Sequence, residues 1–352
     1  MFDMKNNLHD TLQHHDGFVV FGAGAAGQNA LRKLRELEKN VLFVCDNNSA
    51  LHGTVLDGID IVSPQKLKTM KDKVVLIASD YAKEIDAQLQ QLEVVQKLYF
   101  GFCANYDRWV GHFDAIRQED EEERIQQAAK LFSDKASLDA YWGIIRFRAS
   151  LCASQLMTAN YREYLHPRAL PQIDGVIVDG GAWHGDSVET YLENTRYSCH
   201  IFSFEPEHRN FLALTDKIKA LGAKENITPV QQGLWSDTTT LSFATDNINS
   251  MEFSVSTQGD MIVEVTSLDD FFLERDNFPT MIKMDIEGAE IQAIKGAVGL
   301  IQKYKPVLQI CVYHQYNDLW EIPLLIHSIN PLYTFYLGHH SQTIVDTVLY
   351  AV

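Results

Sequence analysis

The sequence predicts an α/β protein with two doubly wound sheets, a smaller one toward the N-terminus and a larger, mostly parallel one of seven strands behind it. Three observations carry this. Short runs of Val, Ile, Leu and Phe alternate with polar stretches of helical periodicity. The alternation stops near Ala104 and resumes near Asp174. Each half opens on an apolar strand running directly into glycines, "FVVFGAGAAG" and then "GVIVDGGAWHGD". With 352 residues, 46% of them hydrophobic, the chain is long enough for two domains with sizeable cores.

The first domain is expected over residues 1–103, where "FVVFG", "NVLFVCD", "KVVLIAS" and "KLYFGF" read as buried parallel strands. Asp46 to Leu67 is rich in turn formers and reads as an excursion outside the sheet. Residues 104–171 read as a helical connector, because the segment from Arg124 to Met157 spaces its apolar positions by three and four. Ser133 and Ser137 stand where helix caps are expected, and the acidic run "QEDEEER" at Gln118 to Arg124 reads as a solvated helix face. "HPRALPQ", with its two prolines, marks the boundary of a second domain over 172–352.

Seven strands are expected there: "GVIVDGG", "HIFSFEP", "ITPVQQGLW", "TMIKMDIE", "PVLQICVYH", "YTFYLG" and "TVLYAV". Between the third and fourth, "TLSFATD" and "MIVEVTSL" form a hairpin followed by a short helix. The last two strands are joined by the polar turn "HHSQ", which makes them antiparallel neighbours on an otherwise parallel sheet.

The formal net charge of −17 opposes binding to nucleic acid or to anionic membranes. The five cysteines are widely spaced without a CxxC pair, which argues against a disulfide framework and a zinc site. The N-terminus lacks the pattern of a signal peptide, and no apolar run approaches the roughly 18 residues of a membrane span. A cytoplasmic protein with a small-molecule or glycan partner is the expectation, and homo-oligomers are compatible with it.

The two glycine turns differ in charge. In the first, Gly22, Gly24 and Gly27 satisfy G-x-G-x-x-G and Asp46 ends the next strand, where an acid holds a ribose in dinucleotide folds. A nucleotide or nucleotide sugar is the ligand this turn suits; the competing reading is a tight turn with close helix packing. In the second, Asp179 closes the strand, Gly180, Gly181 and Gly185 make the turn, and Asp186 opens the helix. A pyrophosphate would meet two carboxylates there, whereas S-adenosylmethionine (SAM), carrying an ammonium and a sulfonium, would be attracted by them. Glu205, at the end of the next strand, can accept from both ribose hydroxyls. Trp235 is a candidate wall for the adenine and Asp237 for its amino group, against core packing and turn formation.

At "VIVDGGAWHGDS", "FEP" and "IKMDIEGAEIQAIKGA", and in the ending "YLGHHS…DTVLYA", the sequence resembles the FkbM-like SAM-dependent methyltransferases over roughly Ser137 to Val352. The resemblance implies a class I methyltransferase fold acting on hydroxyl groups of sugars or secondary metabolites. It implies SAM contacts at Asp179, Gly181, Gly185 and Glu205, and an acidic motif at Asp285, Glu287, Gly288 and Glu290. Trp183 departs from the family, which commonly has a small polar residue there. The N-terminal stretch resembles small Rossmann-like modules found with sugar-modifying enzymes, through "FGAGAAG", "CDNN" and "LDGIDIVSP".

Methyl transfer to an alcohol requires alignment and removal of a proton. Asp285, Glu287 and His314, all at strand ends, are the catalytic candidates; Lys283 offers Asp285 a competing ion pair, and a first-turn carboxylate at Glu290 suits the helix dipole. Asp318, Trp320 and Glu321 are candidate acceptor contacts, and His339 and His340 candidates to close over the site. A divalent ion on Asp285, Glu287 and His314 is not demanded by the spacing, and none is assigned. The function expected is a SAM-dependent O-methyltransferase for a hydroxyl of a sugar, glycan precursor or related metabolite. The alternatives are an NAD-dependent oxidoreductase using the first turn and a non-catalytic binding protein with a degenerate methyltransferase domain.

Overall fold

A computed structural model of the chain describes residues 8–106, 109–110, 119–244, 254–255 and 261–352. The chain divides into two compact units, Met1–Glu123 with Leu138–Ala159 and His339–Val345, and Arg124–Ser137 with Asn160–Gly338 and Asp346–Val352. The span 104–171 is therefore shared between the two units.

In the first unit, helix α1 (Leu8–His14) precedes β1 (Phe18–Phe21), α2 (Ala25–Glu36), β2 (Val41–Cys45), β3 (Val55–Leu56), β4 (Ile59–Val62), β5 (Val74–Ile77), α3 (Ala82–Gln91) and β6 (Lys97–Tyr99). The sheet order is β3-β4-β2-β1-β5-β6, and β1, β2, β5 and β6 are the four expected parallel strands. All four residues of β1 and of β5 are buried, as central parallel strands require. Helix α2 begins after Gly24 and buries Gly27, Ala30, Leu31 and Leu34, a single stripe at helical spacing.

The segment 46–67 differs from expectation. Rather than looping out, it forms a β3–β4 hairpin whose second strand extends the sheet parallel to β2. The cause is local: Asp57 and Gly58 both take positive φ (49° and 83°), the backbone of a two-residue hairpin turn that matches strand twist.

Helix α4 (Glu119–Ala129) buries Ile125, Ala128 and Ala129 and exposes Asp120, Glu122 and Glu123, a solvated acidic face. At the start of α5 (Lys135–Ser150) neither expected serine is the cap. Asp134 Oδ1 accepts the Ser137 amide at 2.7 Å, and the Ser137 hydroxyl instead accepts the Leu337 amide at 2.9 Å. A carboxylate three residues ahead of a free amide has the geometry of an N-cap, which leaves the serine hydroxyl for another strand.

The second unit holds β7 (Val176–Gly180), α6 (Asp186–Asn194), β8 (His200–Phe204), α7 (His208–Ala220) and β9 (Ile227–Val230). A side sheet follows, built from β10 (Gly233–Leu234), β11 (Thr239–Ala244), β12 (Ser254–Val255) and β13 (Met261–Thr266), then helix α8 (Leu268–Phe272). The expected hairpin is present as antiparallel β11 and β13. The chain returns through β14 (Met281–Met284), α9 (Glu290–Lys295), α10 (Val298–Tyr304), β15 (Val307–Cys311), α11 (Asp318–Ile329), β16 (Phe335–His339) and β17 (Thr347–Ala351).

The main sheet has seven strands in the order β16-β17-β15-β14-β7-β8-β9. Strand β17 runs antiparallel to β15, while β15, β14, β7, β8 and β9 are parallel. Val188, Tyr191 and Leu192 of α6 and Leu214 and Ile218 of α7 pack in one core with Ile177, Ile201 and Met281 of the sheet. All five cysteines are free, and no helix among the described residues is long and apolar enough to cross a membrane.

Candidate active site

Strands β14, β7 and β8 lie side by side, and β7 is the first strand laid down in this sheet, so the chain order reverses beside it. Ligands bind such sheets in the crevice at the carboxyl ends next to that reversal. The register pairs Met284 with Gly180 and Gly180 with Phe204. The residues that follow, Asp285, Gly181 and Glu205, therefore stand in a row along the carboxyl edge.

Gly181 has φ 71°, and a Cβ there would stand 1.8 Å from the Asp285 carbonyl oxygen, so the backbone can pass only without a side chain. Gly185, at φ 84°, turns the chain into α6. Between them the Trp183 amide donates to Glu205 Oε2 at 2.9 Å, and the Glu207 amide donates to Glu205 Oε1 at 3.0 Å. Burial raises the Glu205 pKa, partly opposed by these amides. The Asn210 side chain is a third donor, and since a carboxylate offers about four acceptor sites some capacity is left for a ligand. Trp183 takes the left-handed conformation at φ 44°, and its half-exposed ring stacks on His184 at 4.1 Å.

Asp179 does not offer a bare charge to the crevice. It is fully buried, with Lys283 Nζ 3.1 Å from its Oδ1 and the Ser187 hydroxyl donating to its Oδ2 at 2.7 Å. The same ammonium donates to the Gly180 and Gly181 carbonyls at 3.2 and 2.8 Å. Burial favours the neutral amine, but Asp179 outweighs it and holds the Lys283 pKa above its usual range. The ion pair expected between Lys283 and Asp285 is thus made with Asp179 instead, because register places those two residues directly opposite. The attraction for a cation expected of Asp179 is cancelled by Lys283, and sequence reasoning missed this lysine as the anchor of the turn.

The acidic turn brings four groups together. Glu287 (φ 56°) and Gly288 (φ 97°) bend the chain between β14 and α9. His314 Nδ1 stands 2.9 Å from Glu290 Oε1, and its Nε2 stands 3.4 Å from Asp285 Oδ1 and 3.6 Å from Glu287 Oε2. Glu290 is fully buried and also accepts the Ile286 amide at 2.9 Å, so its contacts are to a histidine and a turn rather than to the helix end alone. The Tyr164 and Tyr313 hydroxyls donate to Asp285 at 3.1 and 3.2 Å.

Burial would keep His314 neutral, but Glu290, then Asp285 and Glu287, push its pKa up to about 10. Burial alone would raise Asp285, yet Lys283 and His314 hold it below the usual carboxylate range. Glu163, which no sequence pattern singled out, is pushed up to about 7 by burial and by the charges of Asp346 and Asp285.

Other candidates have contacts of their own. Trp235 follows β10, half-buried, with its amide donating to Thr266 at 3.0 Å; Asp237 is exposed and accepts the Ser236 hydroxyl at 2.7 Å. Three acceptor candidates resolve as structural. Asp318 is buried and accepts the Gln315 amide at 2.6 Å, Trp320 is in the core, and Glu321 pairs with Arg124 through both carboxylate oxygens. They begin an amphipathic helix, and its first turn faces inward. His339 ends β16 with 1% of its surface exposed, so its side chain is part of a core and not of a closing flap.

In the first unit, a Cβ on Gly22 (φ 121°) would stand 2.2 Å from the Ala78 carbonyl, and one on Gly27 would stand 2.0 Å from the Gly22 carbonyl. Asp46 accepts the Ala23 amide and the Asn48 amide, each at 2.7 Å. Gly24 precedes α2 with open space around its Cβ position.

A seven-stranded sheet with a reversed last strand, a glycine turn after its first strand and an acid after its second define the fold of a class I methyltransferase. Residues 179–337 match the model of the methyltransferase FkbM domain. Residues 15–98 match the model described as C2185-like, N-terminal. A crystal structure of methyltransferase FkbM from Methylobacillus flagellatus KT superposes with TM-score 0.77 over 100% of this chain and 94% of that one, at 23% identity. The hexuronic acid methyltransferase AglP of Haloferax volcanii is 27% identical over 126 residues, 35% of this chain and 52% of that protein. The match thus spans about half the length of that curated relative.

Proposed function

We propose that the protein is a SAM-dependent O-methyltransferase that methylates a hydroxyl of a sugar, glycan precursor or related metabolite in the cytoplasm. The observation that carries this reading is the row Asp285, Gly181, Glu205 along the carboxyl edge of β14, β7 and β8. The residues present fit SAM. Glu205 keeps acceptor capacity at the second strand end, where a ribose hydroxyl needs an acceptor. Gly181 leaves a side-chain-free surface, and Trp235 and Asp237 follow the third strand. Asp179 contributes indirectly, by fixing Lys283 on the carbonyls of the turn. SAM supplies a methyl group on a sulfonium, ready for in-line displacement.

The chain's own residues supply orientation and the fate of the acceptor's proton. His314 Nε2 and Asp285 Oδ1 stand 3.4 Å apart at the carboxyl edge, where either group can take the acceptor's proton. Glu287 sits at the rim, where it can orient an acceptor hydroxyl. The relative from Haloferax volcanii, named a hexuronic acid methyltransferase, supports a sugar as acceptor class.

Calorimetry of the full chain with SAM tests the donor: one site per chain is expected, weakened about tenfold or more by Glu205→Ala, since a hydrogen bond to a charged group contributes roughly 1.5–3 kcal/mol. Absence of SAM binding, with NAD bound instead, would overturn the reading. Incubation with methyl-labelled SAM and a panel of sugars, uronic acids and nucleotide sugars then identifies the acceptor by label transfer.

A further inference from the structure

We propose that Asp285, Glu287 and His314 form a binding site for one divalent transition-metal ion, with Glu290 as the carboxylate behind the histidine. The inference rests on the methyltransferase reading only for its catalytic meaning; the site itself stands on the geometry. Asp285, Glu290 and His314 bring one donor atom each within 4.8 Å of one another. On the open side of the ring, Nε2 faces Asp285 Oδ1 at 3.4 Å and Glu287 Oε2 at 3.6 Å. Donors bound at about 2.1 Å around a tetrahedral ion stand roughly 3.4 Å apart, so each of the two carboxylate oxygens already stands near ligand spacing from Nε2. On the closed side, Glu290 Oε1 holds Nδ1 at 2.9 Å, which directs the Nε2 lone pair outward when an ion replaces the ring proton.

A second observation is independent of that spacing. Glu290 has no exposed surface, and its Oε2 is buried without a hydrogen-bond partner. A half-satisfied carboxylate buried in a fold is costly unless nearby positive charge offsets it. Three carboxylates converge on a single imidazole, and a divalent ion at Nε2 would bring two positive charges where a protonated ring brings one. The side chains of Asp285 and Glu287 are 27% and 36% exposed, so an ion can enter from solvent. Two carboxylates with one imidazole suit Mn²⁺, Fe²⁺ or Zn²⁺ better than Mg²⁺, which prefers oxygen and water. Three protein ligands leave a coordination position open, as catalytic ions require, and an ion there would lower the pKa of an acceptor hydroxyl.

The test uses the full chain, stripped with a chelator and titrated with Mn²⁺ under electron paramagnetic resonance, without SAM or acceptor. One ion per chain is expected, with nitrogen modulation from the imidazole. Glu287→Gln and Glu290→Gln should each weaken binding by about 10- to 100-fold and His314→Gln should remove the nitrogen signal. Glu122→Gln, an exposed acid on α4, should leave binding unchanged. Circular dichroism checks folding; Glu287→Gln, at the rim, decides the matter if the buried variant unfolds. No saturable binding, or binding indifferent to Glu287→Gln, would overturn the proposal. Because the titration needs no SAM, a failed SAM measurement leaves its outcome separately readable.

Discussion

Lys283 sits at the centre of the residue-scale energetics. Its ammonium, itself buried, joins the buried Asp179 and the carbonyls of Gly180 and Gly181. Removing one partner strands the other charge, so Lys283→Met should destabilise the chain by about 3–5 kcal/mol, while Asp179→Asn combined with Lys283→Met should recover most of the loss. Urea unfolding of the three proteins checks this; a single variant within about 0.5 kcal/mol of the parent would refute the ion pair's role. Glu205 gives a prediction in pH. Because burial raises its pKa, it takes up a proton at higher pH than an ordinary glutamate, and the protonated form loses acceptor capacity. SAM affinity should therefore fall as pH is lowered through that raised pKa, and Glu205→Gln should flatten the profile. Glu205 was legible as the acid ending an apolar strand, but the partner of Lys283 was not. Lys283 alternates with Asp285 on its own strand, and only the register of β14 against β7 puts it opposite Asp179.

At the scale of elements, local chemistry was readable where backbone geometry depends on neighbours in sequence. The Asp57-Gly58 turn announces its hairpin, and the signal was outweighed by the general richness of that segment in turn formers. Asp134 caps α5, and Asp134→Ala should cost about 1 kcal/mol, measured as a fall in the unfolding midpoint. Histidine at the end of β16 makes a separate prediction. Burial, first of all, lowers the His339 pKa to about 3, against roughly 6.5 in the unfolded chain. The unfolded state takes up a proton below about pH 6.5 and the folded state does not, so stability falls by about 1.4 kcal/mol per unit as pH drops from 6.5 toward 3. Thermal unfolding at pH 7 and pH 5 should show this loss, and His339→Gln should show less of it. The start of α11 marks the limit of reading by element: Asp318, Trp320 and Glu321 suit sugar binding by type, yet the face they occupy is settled by packing and by Arg124.

For the whole molecule, the two glycine turns share a sequence pattern and differ in their neighbours. In the first unit Asp46 accepts the Ala23 and Asn48 amides, and Gly22→Ala would press a methyl group against the Ala78 carbonyl at a positive φ. That substitution should cost at least about 2 kcal/mol, seen as a lower thermal midpoint. In the second unit the glycine turn lies beside Glu205 and Asp285 in one row. The sequence by itself determined the strand runs, the antiparallel ending, both turns and the acids that close the strands, because these depend on apolar periodicity and on backbone freedom at glycine. It also carried the likeness to the FkbM family. Only the tertiary structure decided which charges cancel and which converge: Lys283 on Asp179, and three carboxylates on His314. Those pairings join residues as far apart as Asp179 and Lys283, and strand register, which brings them within reach, is a property of the assembled sheet.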